Sequence, residues 1–334
     1  MQPGDSVDQS LVREGEEAEL GALLAAEPDS VRAHVLMGDF RARSGEEDLA
    51  RYFYRAALRL AEGRRLPHYE ADDARRAERR LAEIESGAHA RREALLAERG
   101  LPPDSWSPRF RHFLDLAAGK RKLYAPQPTA FTYPELAARQ FYDPAEFGWA
   151  AAVEAAAPAI REELLALLGE GTDRFRAYIQ GSTVAGEANR ELLGKKDWSI
   201  LPLCENGWLS PDVVERCPGT WETVLQAPLP RISGWGPTVV FSLLKAGAHI
   251  AAHTGMINTR LICHLPLIVP PGCRFRVGDE VREWEEGKLL IFDDTIEHEA
   301  WNDSAEDRVV LIFDVWRPEL SEREKYELTA LFSD

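Results

Sequence analysis

Histidine is scarce in this chain, eight in 334 residues, and four of the eight, His249, His253, His264 and His298, fall between positions 249 and 298. Neutral imidazole is a common metal ligand, and two imidazoles delivered from separate strands, with open positions beside them, are what a mononuclear non-haem iron site needs. The pair that suits is His253, in His249-Ile250-Ala251-Ala252-His253-Thr254-Gly255, and His298, in Asp293-Asp294-Thr295-Ile296-Glu297-His298-Glu299. Ten residues after His298 stands Arg308, at the head of an apolar run where a buried cation is costly unless an acid meets it. The two-pronged guanidinium matches a carboxylate, so the pattern fits iron(II) with 2-oxoglutarate as a carboxylate cosubstrate. His249 reads as structural. The acid pairs Glu285-Glu286 and Asp293-Asp294 could serve proton transfer, but beside a turn and a strand end they read as solvated groups or groups that orient ligands.

A scaffold must bring these residues together from distant positions. Beyond Thr238 the sequence breaks into β-type runs, Thr238 to Leu244, Thr259 to Val269, Cys273 to Val277, Lys288 to Phe292 and Arg308 to Trp316. The turn segments Lys245-Ala246-Gly247, Pro270-Pro271-Gly272, Gly278-Asp279 and Asn302-Asp303-Ser304 separate them. Short strands with tight turns and little helix between them predict an antiparallel sandwich or jelly roll. Within the second run, residues 260, 262 and 264 share one face, so Arg260, Ile262 and His264 point one way and Leu261, Cys263 and Leu265 the other.

The N-terminal part differs. From Leu11 to Gly100 it is rich in Ala, Leu, Glu and Arg, which predicts helices. One is capped by Asp29 or Ser30 and runs to Arg43, and a second covers Glu46 to Ala61. Gly38, Ala50, Tyr54 and Ala57 have the small and aromatic spacing of a tetratricopeptide repeat, but a period later the pattern fails in the charged stretch Tyr69 to Arg99, so a repeat-like module and a plain helical bundle both stay open. The arginines of that stretch alternate with acids at helical spacing, a solvated face rather than a nucleic-acid stripe. The expected class is α+β: a helical, tetratricopeptide-like module over 1–104, then an oxygenase domain over 105–334. The latter comprises a helical lead-in over 105–195 and a β-helix core over about 196–320.

At this point the residues resemble the aspartyl/asparaginyl β-hydroxylases, a family of 2-oxoglutarate- and iron(II)-dependent oxygenases. The motifs that carry the likeness are His253-Thr254-Gly255, Arg260-Leu261-Ile262-Cys263-His264-Leu265, Trp284-Glu285-Glu286-Gly287-Lys288, Ile291-Phe292-Asp293-Asp294, Glu297-His298-Glu299-Ala300-Trp301 and Asp314-Val315-Trp316-Arg317-Pro318-Glu319-Leu320, within about Gly194 to Leu320. The resemblance implies a double-stranded β-helix of cupin type, with His253 and His298 as iron ligands and O2 as the oxidant. It further implies Arg308 and Ser242 on the distal carboxylate of 2-oxoglutarate, His264 near the other carboxylate and Trp198 lining the same pocket. Many relatives in the wider superfamily carry an acid two residues after the first histidine. Here that residue is Gly255, and its absence is characteristic of this family. Two arginines meet an acidic substrate side chain in the family; Arg260 matches the first, whereas the second is Ile262, which turns expectation towards amide, imino-acid or acyl substrates.

The expected reaction is hydroxylation of an unactivated C–H, at the β-carbon of an amino-acid residue, a peptide or a carrier-bound amino acid, with a fatty-acyl hydroxylase or a non-catalytic helical adaptor as alternatives. The N-terminal helices are the expected place for a protein partner. A net charge of −16 disfavours nucleic acid. No stretch approaches the apolar length of a membrane span, since the strongest run, Leu261 to Val269, contains His264 and Pro266. The start Met1-Gln2-Pro3-Gly4-Asp5 lacks the basic and apolar regions of a secretory signal, so the expected location is the cytoplasm. Cys204, Cys217, Cys263 and Cys273 read as reduced thiols, with a Cys204–Cys217 pair left open.

Overall fold

The computed structural model describes residues 4–180 and 189–332. Two compact units divide between Lys122 and Leu123.

The first unit is helical: α1 (Gly4–Ala26), α2 (Val31–Arg43), α3 (Glu47–Ala61), α4 (His68–Glu98) and α5 (Pro108–Ala117). Ser30 caps α2, its hydroxyl accepting from the Ala33 amide. Close packing of α2 on α3 explains the small residues seen in the sequence. Ala50, Tyr54 and Ala57 are fully buried, and a Cβ at Gly38 would come within 2.6 Å of the Tyr54 ring. The charged stretch is one long helix whose arginines pair with neighbouring acids, such as Arg75 with Asp72 and Arg80 with Glu83. The unit ends later than the composition change at 104/105, because the segment after α5 folds back on α4, where Lys120 Nζ lies 2.7 Å from His89 Nε2.

Among the described residues the second unit has short helices α6 (Ala150–Ala155), α7 (Ala157–Leu168), α8 (Pro211–Val214), α9 (Pro218–Val224) and α10 (Glu322–Phe332) around twelve strands. In chain order these are β1 (Phe141–Tyr142), β2 (Arg176–Ala177), β3 (Trp198–Glu205), β4 (Trp208–Leu209), β5 (Val239–Leu244), β6 (His249–His253), β7 (Arg260–Ile268), β8 (Cys273–Val277), β9 (Glu280–Glu283), β10 (Leu290–Phe292), β11 (His298–Asn302) and β12 (Arg308–Trp316). The major sheet runs β1-β10-β7-β12-β5-β3-β2, with β4 on β3, and the minor sheet runs β6-β11-β8-β9. All these pairings are antiparallel, so the α+β class and the jelly-roll expectation hold.

The lead-in to the β-core over 105–195 is helical only in part: α5, α6 and α7 fall within it, but residues 123–140 between them form no helix. Pro126, Pro128 and Pro134 deny helix to residues 123–140, which instead cross the β6–β7 and β10–β11 loops as an extended strap. Its bonds run from Gln127 N to Thr295 O (2.6 Å), from Thr129 N to Gly255 O (3.0 Å) and from Ala130 N to Met256 O (2.9 Å). Residues 181–188 of that lead-in lie outside the described residues.

The strand period of two splits the major sheet into two unlike faces. Leu261, Cys263, Leu265, Val309, Leu311 and Phe313 face one way and form a dry core with Ile160 and Leu164 of α7. The opposite face, with Trp198, Leu244 and Phe292, packs on Phe275, Val277 and Ala300 of the minor sheet. All four cysteines are buried and free, so the Cys204–Cys217 pair is not formed.

Candidate functional site

The two sheets enclose the histidines. His253 closes β6 and His298 opens β11, and the two are direct partners in the antiparallel register. Their ring centroids lie 4.1 Å apart. Each ring is oriented by its own backbone: His253 Nδ1 donates to Ala251 O at 2.8 Å and His298 Nδ1 to Ile296 O at 3.0 Å. A carbonyl only accepts, so the proton is held on Nδ1 and the Nε2 lone pair of each ring stays free. Burial lowers both imidazoles below their ordinary pKa, and His253 lowers His298 further. Both are thus held in the neutral form that a metal requires.

Arg308 enters from β12 and is almost fully buried. Its guanidinium lies 4.6 Å over the Trp284 ring, and Nε and Nη1 have no acceptor among the described residues. Desolvation lowers its pKa to about 10, with no carboxylate among the causes to oppose it. A buried, unpaired cation is expensive, and an anionic ligand would discharge that cost. On the neighbouring strand β5 Ser242 Oγ is buried and accepts from Trp198 Nε1 at 3.2 Å, while the Trp198 ring lies 6.0 Å from His253. His264 is held well below its ordinary pKa by burial and then by Arg308, and its Nδ1 also lacks a partner. Ser242, His264, Arg308 and Trp198 therefore converge on one pocket with the histidine pair.

Arg260 and Ile262 lie on the same face of β7 as His264, opposite Trp316 and Asp314 of β12. Arg260 is already engaged, its Nη1 donating to Asp314 Oδ2 at 2.7 Å. His249 stands apart, stacked on Trp301 at 5.2 Å and close to Glu299. Among the described residues no three His, Cys, Asp or Glu side chains form a ready-made metal cluster.

The structure adds groups that the sequence did not reveal. Asp293 and Asp294 are buried, which overturns the solvated reading. Asp293 is bound by the fully buried Arg317 at 2.8 Å and by Thr295, and Arg317 also reaches Asn258 O at 3.3 Å, so one cation ties the loops that carry the two histidines. Asp294 fills the space beside Gly255: a Cβ there would stand 2.0 Å from Asp294 Oδ2. Gly255 thus carries no acid because a neighbouring acid occupies its side-chain position. Burial raises the Asp294 carboxyl to about 7, and its Oδ1 has no partner among the described residues. Of the other acid pair, Glu285 is exposed and Glu286 accepts from Val269 N, both away from the pocket. Tyr178, stacked 4.1 Å from Trp198, completes the wall and had no signal in the sequence.

The donor set fits iron and 2-oxoglutarate on two counts: two neutral imidazoles with free Nε2 atoms, and an orphaned buried guanidinium beside a buried hydroxyl. Comparison with known proteins adds a family likeness. A family model described as aspartyl/asparaginyl beta-hydroxylase matches residues 154–318. The human aspartyl/asparaginyl beta-hydroxylase is 33% identical over 201 residues, 59% of this chain and 25% of that protein. An ornithine lipid ester-linked acyl 2-hydroxylase of Rhizobium tropici is 35% identical over 220 residues, 65% of this chain and 72% of that protein. Human aspartate beta-hydroxylase domain-containing protein 1 is 36% identical over 136 residues, 40% of this chain and 35% of that protein. The chain thus spans about a quarter of the human hydroxylase and nearly three quarters of the rhizobial one.

Proposed function

The chain belongs to the aspartyl/asparaginyl β-hydroxylase family, and from that premise we propose that it is an iron(II)- and 2-oxoglutarate-dependent dioxygenase that hydroxylates an unactivated C–H bond. The observation that carries this reading is Arg308, a buried cation with unmet donors on the pocket face that also presents His264 and looks onto the His253–His298 pair. His253 and His298 would hold the metal through Nε2. Arg308 and Ser242 would take the distal carboxylate of the cosubstrate, with His264 near its other end. Bound iron and 2-oxoglutarate supply the activation of O2, which the side chains of a protein cannot do unaided. The protein supplies the rest. Backbone carbonyls fix both imidazole tautomers, the apolar walls Phe275, Phe292 and Trp284 exclude water, and the Trp198 indole orients the Ser242 hydroxyl.

A non-catalytic adaptor would have no use for an orphaned internal guanidinium, whose only effect would be to cost stability. Within the hydroxylase reading the substrate is an amino-acid residue, a peptide or a carrier-bound amino acid hydroxylated at its β-carbon, or else an acyl chain. Two observations favour the acyl alternative: Ile262 in place of a second cation, and the acyl 2-hydroxylase relative. The helical unit is the part we assign to a protein or peptide partner. No described helix is long and apolar enough to cross a membrane. The test is O2-dependent conversion of 2-oxoglutarate to succinate by the full chain, with and without iron(II), beside His298→Ala. Iron-dependent succinate that the variant does not form supports the reading, and equal succinate from both would refute it.

A further inference from the structure

Among the described residues, the cation on the outer part of the pocket face, Arg260, is already neutralised by a partner. Arg260 is paired with the fully buried carboxylate of Asp314, and the next residue on that face is Ile262, flanked by Asp314 on β12 and Phe292 on β10. Arg260 Nε, buried and without an acceptor among the described residues, is left as a donor to a neutral oxygen such as a carbonyl. The chain as a whole carries −16, which repels anions.

Beside Arg260 the surface becomes apolar. Arg260 Nη1 reaches Trp235 O at 3.5 Å, and the Trp235 ring belongs to a three-way cluster from separate segments. Phe131 of the strap lies 5.4 Å from Trp235 and 5.1 Å from Phe332, the last residue of α10, and Trp235 lies 4.5 Å from Phe332. Met256, directly after Gly255, is 50% exposed and Phe131 is 39% exposed. The amides of Ala130 and Phe131 both donate to Met256 O, so this apolar lip is fastened to the loop that carries His253. It is continuous with the site, and thioether and aromatic groups suit a flexible hydrocarbon.

We propose that Phe131, Trp235, Met256 and Phe332 hold an uncharged aliphatic chain of the substrate, making the preferred class an acyl amide or ester whose carbonyl meets Arg260. The assignment rests on the hydroxylase reading above, and the balance is unchanged: R–H, O2 and 2-oxoglutarate give R–OH, succinate and CO2. The full chain is titrated with 9,10-dibromostearamide while tryptophan fluorescence is followed, and succinate release is measured with stearamide or with an aspartate-containing peptide.

The proposal expects saturable quenching, most of it lost in Trp235→Phe, and an affinity about tenfold or more weaker in Phe131→Ser with Met256→Ser, which remove apolar contact area. It also expects stearamide to raise succinate release above the substrate-free rate. It is overturned by non-saturable quenching, by an affinity unchanged in a double variant whose circular dichroism matches the parent, or by stimulation from the acidic peptide but not from stearamide. Quenching at the lip with no succinate from any mixture would instead sink the hydroxylase reading and leave the lip standing.

Discussion

Alternate residues of the same strands lead opposite lives in the major sheet. On the helix-backed face Leu261, Cys263, Leu265, Leu311 and Phe313 are buried in an apolar core. On the other face Arg260, His264, Asp314 and Arg308 are almost as deeply covered, yet they are ionisable. In the second unit, the buried side-chain atoms without a partner among the described residues belong to Gln140, Arg260, His264, Trp284, Asp294 and Arg308. All but Gln140 line the space between the sheets, and none is on the helix-backed face. One face is closed apolar packing and the other keeps unmet hydrogen-bonding groups. Stability is concentrated on the first and unmet hydrogen-bonding capacity on the second.

Substitutions on the two faces should therefore fail in different ways. The largest effect is expected from His298→Ala or His253→Ala, which on the proposed reading removes one of two metal ligands; iron-dependent succinate release should fall by more than about a hundredfold. Arg308→Met should raise the 2-oxoglutarate KM by about two orders of magnitude, since a buried charge-assisted partner is lost. The same change should leave the ligand-free fold as stable as before or more stable by about 1 kcal/mol, because it deletes an unpaired buried cation, as urea denaturation will show. On the helix-backed face Leu265→Ala should do the reverse, costing about 2–5 kcal/mol of folding stability without changing the 2-oxoglutarate KM.

The smallest effect sharpens the contrast through pH. Burial holds the Asp294 carboxyl at about 7, above the roughly 3.9 of an unfolded aspartate, so the folded chain keeps a proton that the unfolded chain releases. Stability from that group is present in acid and is lost as pH rises from about 4 through about 7. In Asp294→Asn the fall in melting temperature of the metal-free protein between pH 5 and pH 8 should shrink by a few degrees.

Much of this was readable from residue types. The apolar strands β8 and β12 have the bounds their patterns suggest, because both faces of β12 and alternate positions of β8 are buried. The strands that carry the proposed metal ligands were not legible: His249-Ile250-Ala251-Ala252-His253 and His298-Glu299-Ala300-Trp301-Asn302 are short and rich in small or polar residues. Arg308 was legible through the cost of burying it. Asp294 was not, because its burial depends on the missing Cβ of Gly255, a long-range complementarity that two adjacent acids cannot advertise. The strap had only prolines as a signal, which forbid helix without saying where the chain goes.

The most direct test of the central claim is anaerobic addition of iron(II) and 2-oxoglutarate to metal-free protein, followed by visible absorption and compared with His298→Ala. The account predicts a charge-transfer band in the parent protein and none in the variant. Saturating iron(II) and 2-oxoglutarate without a band in either protein would contradict it.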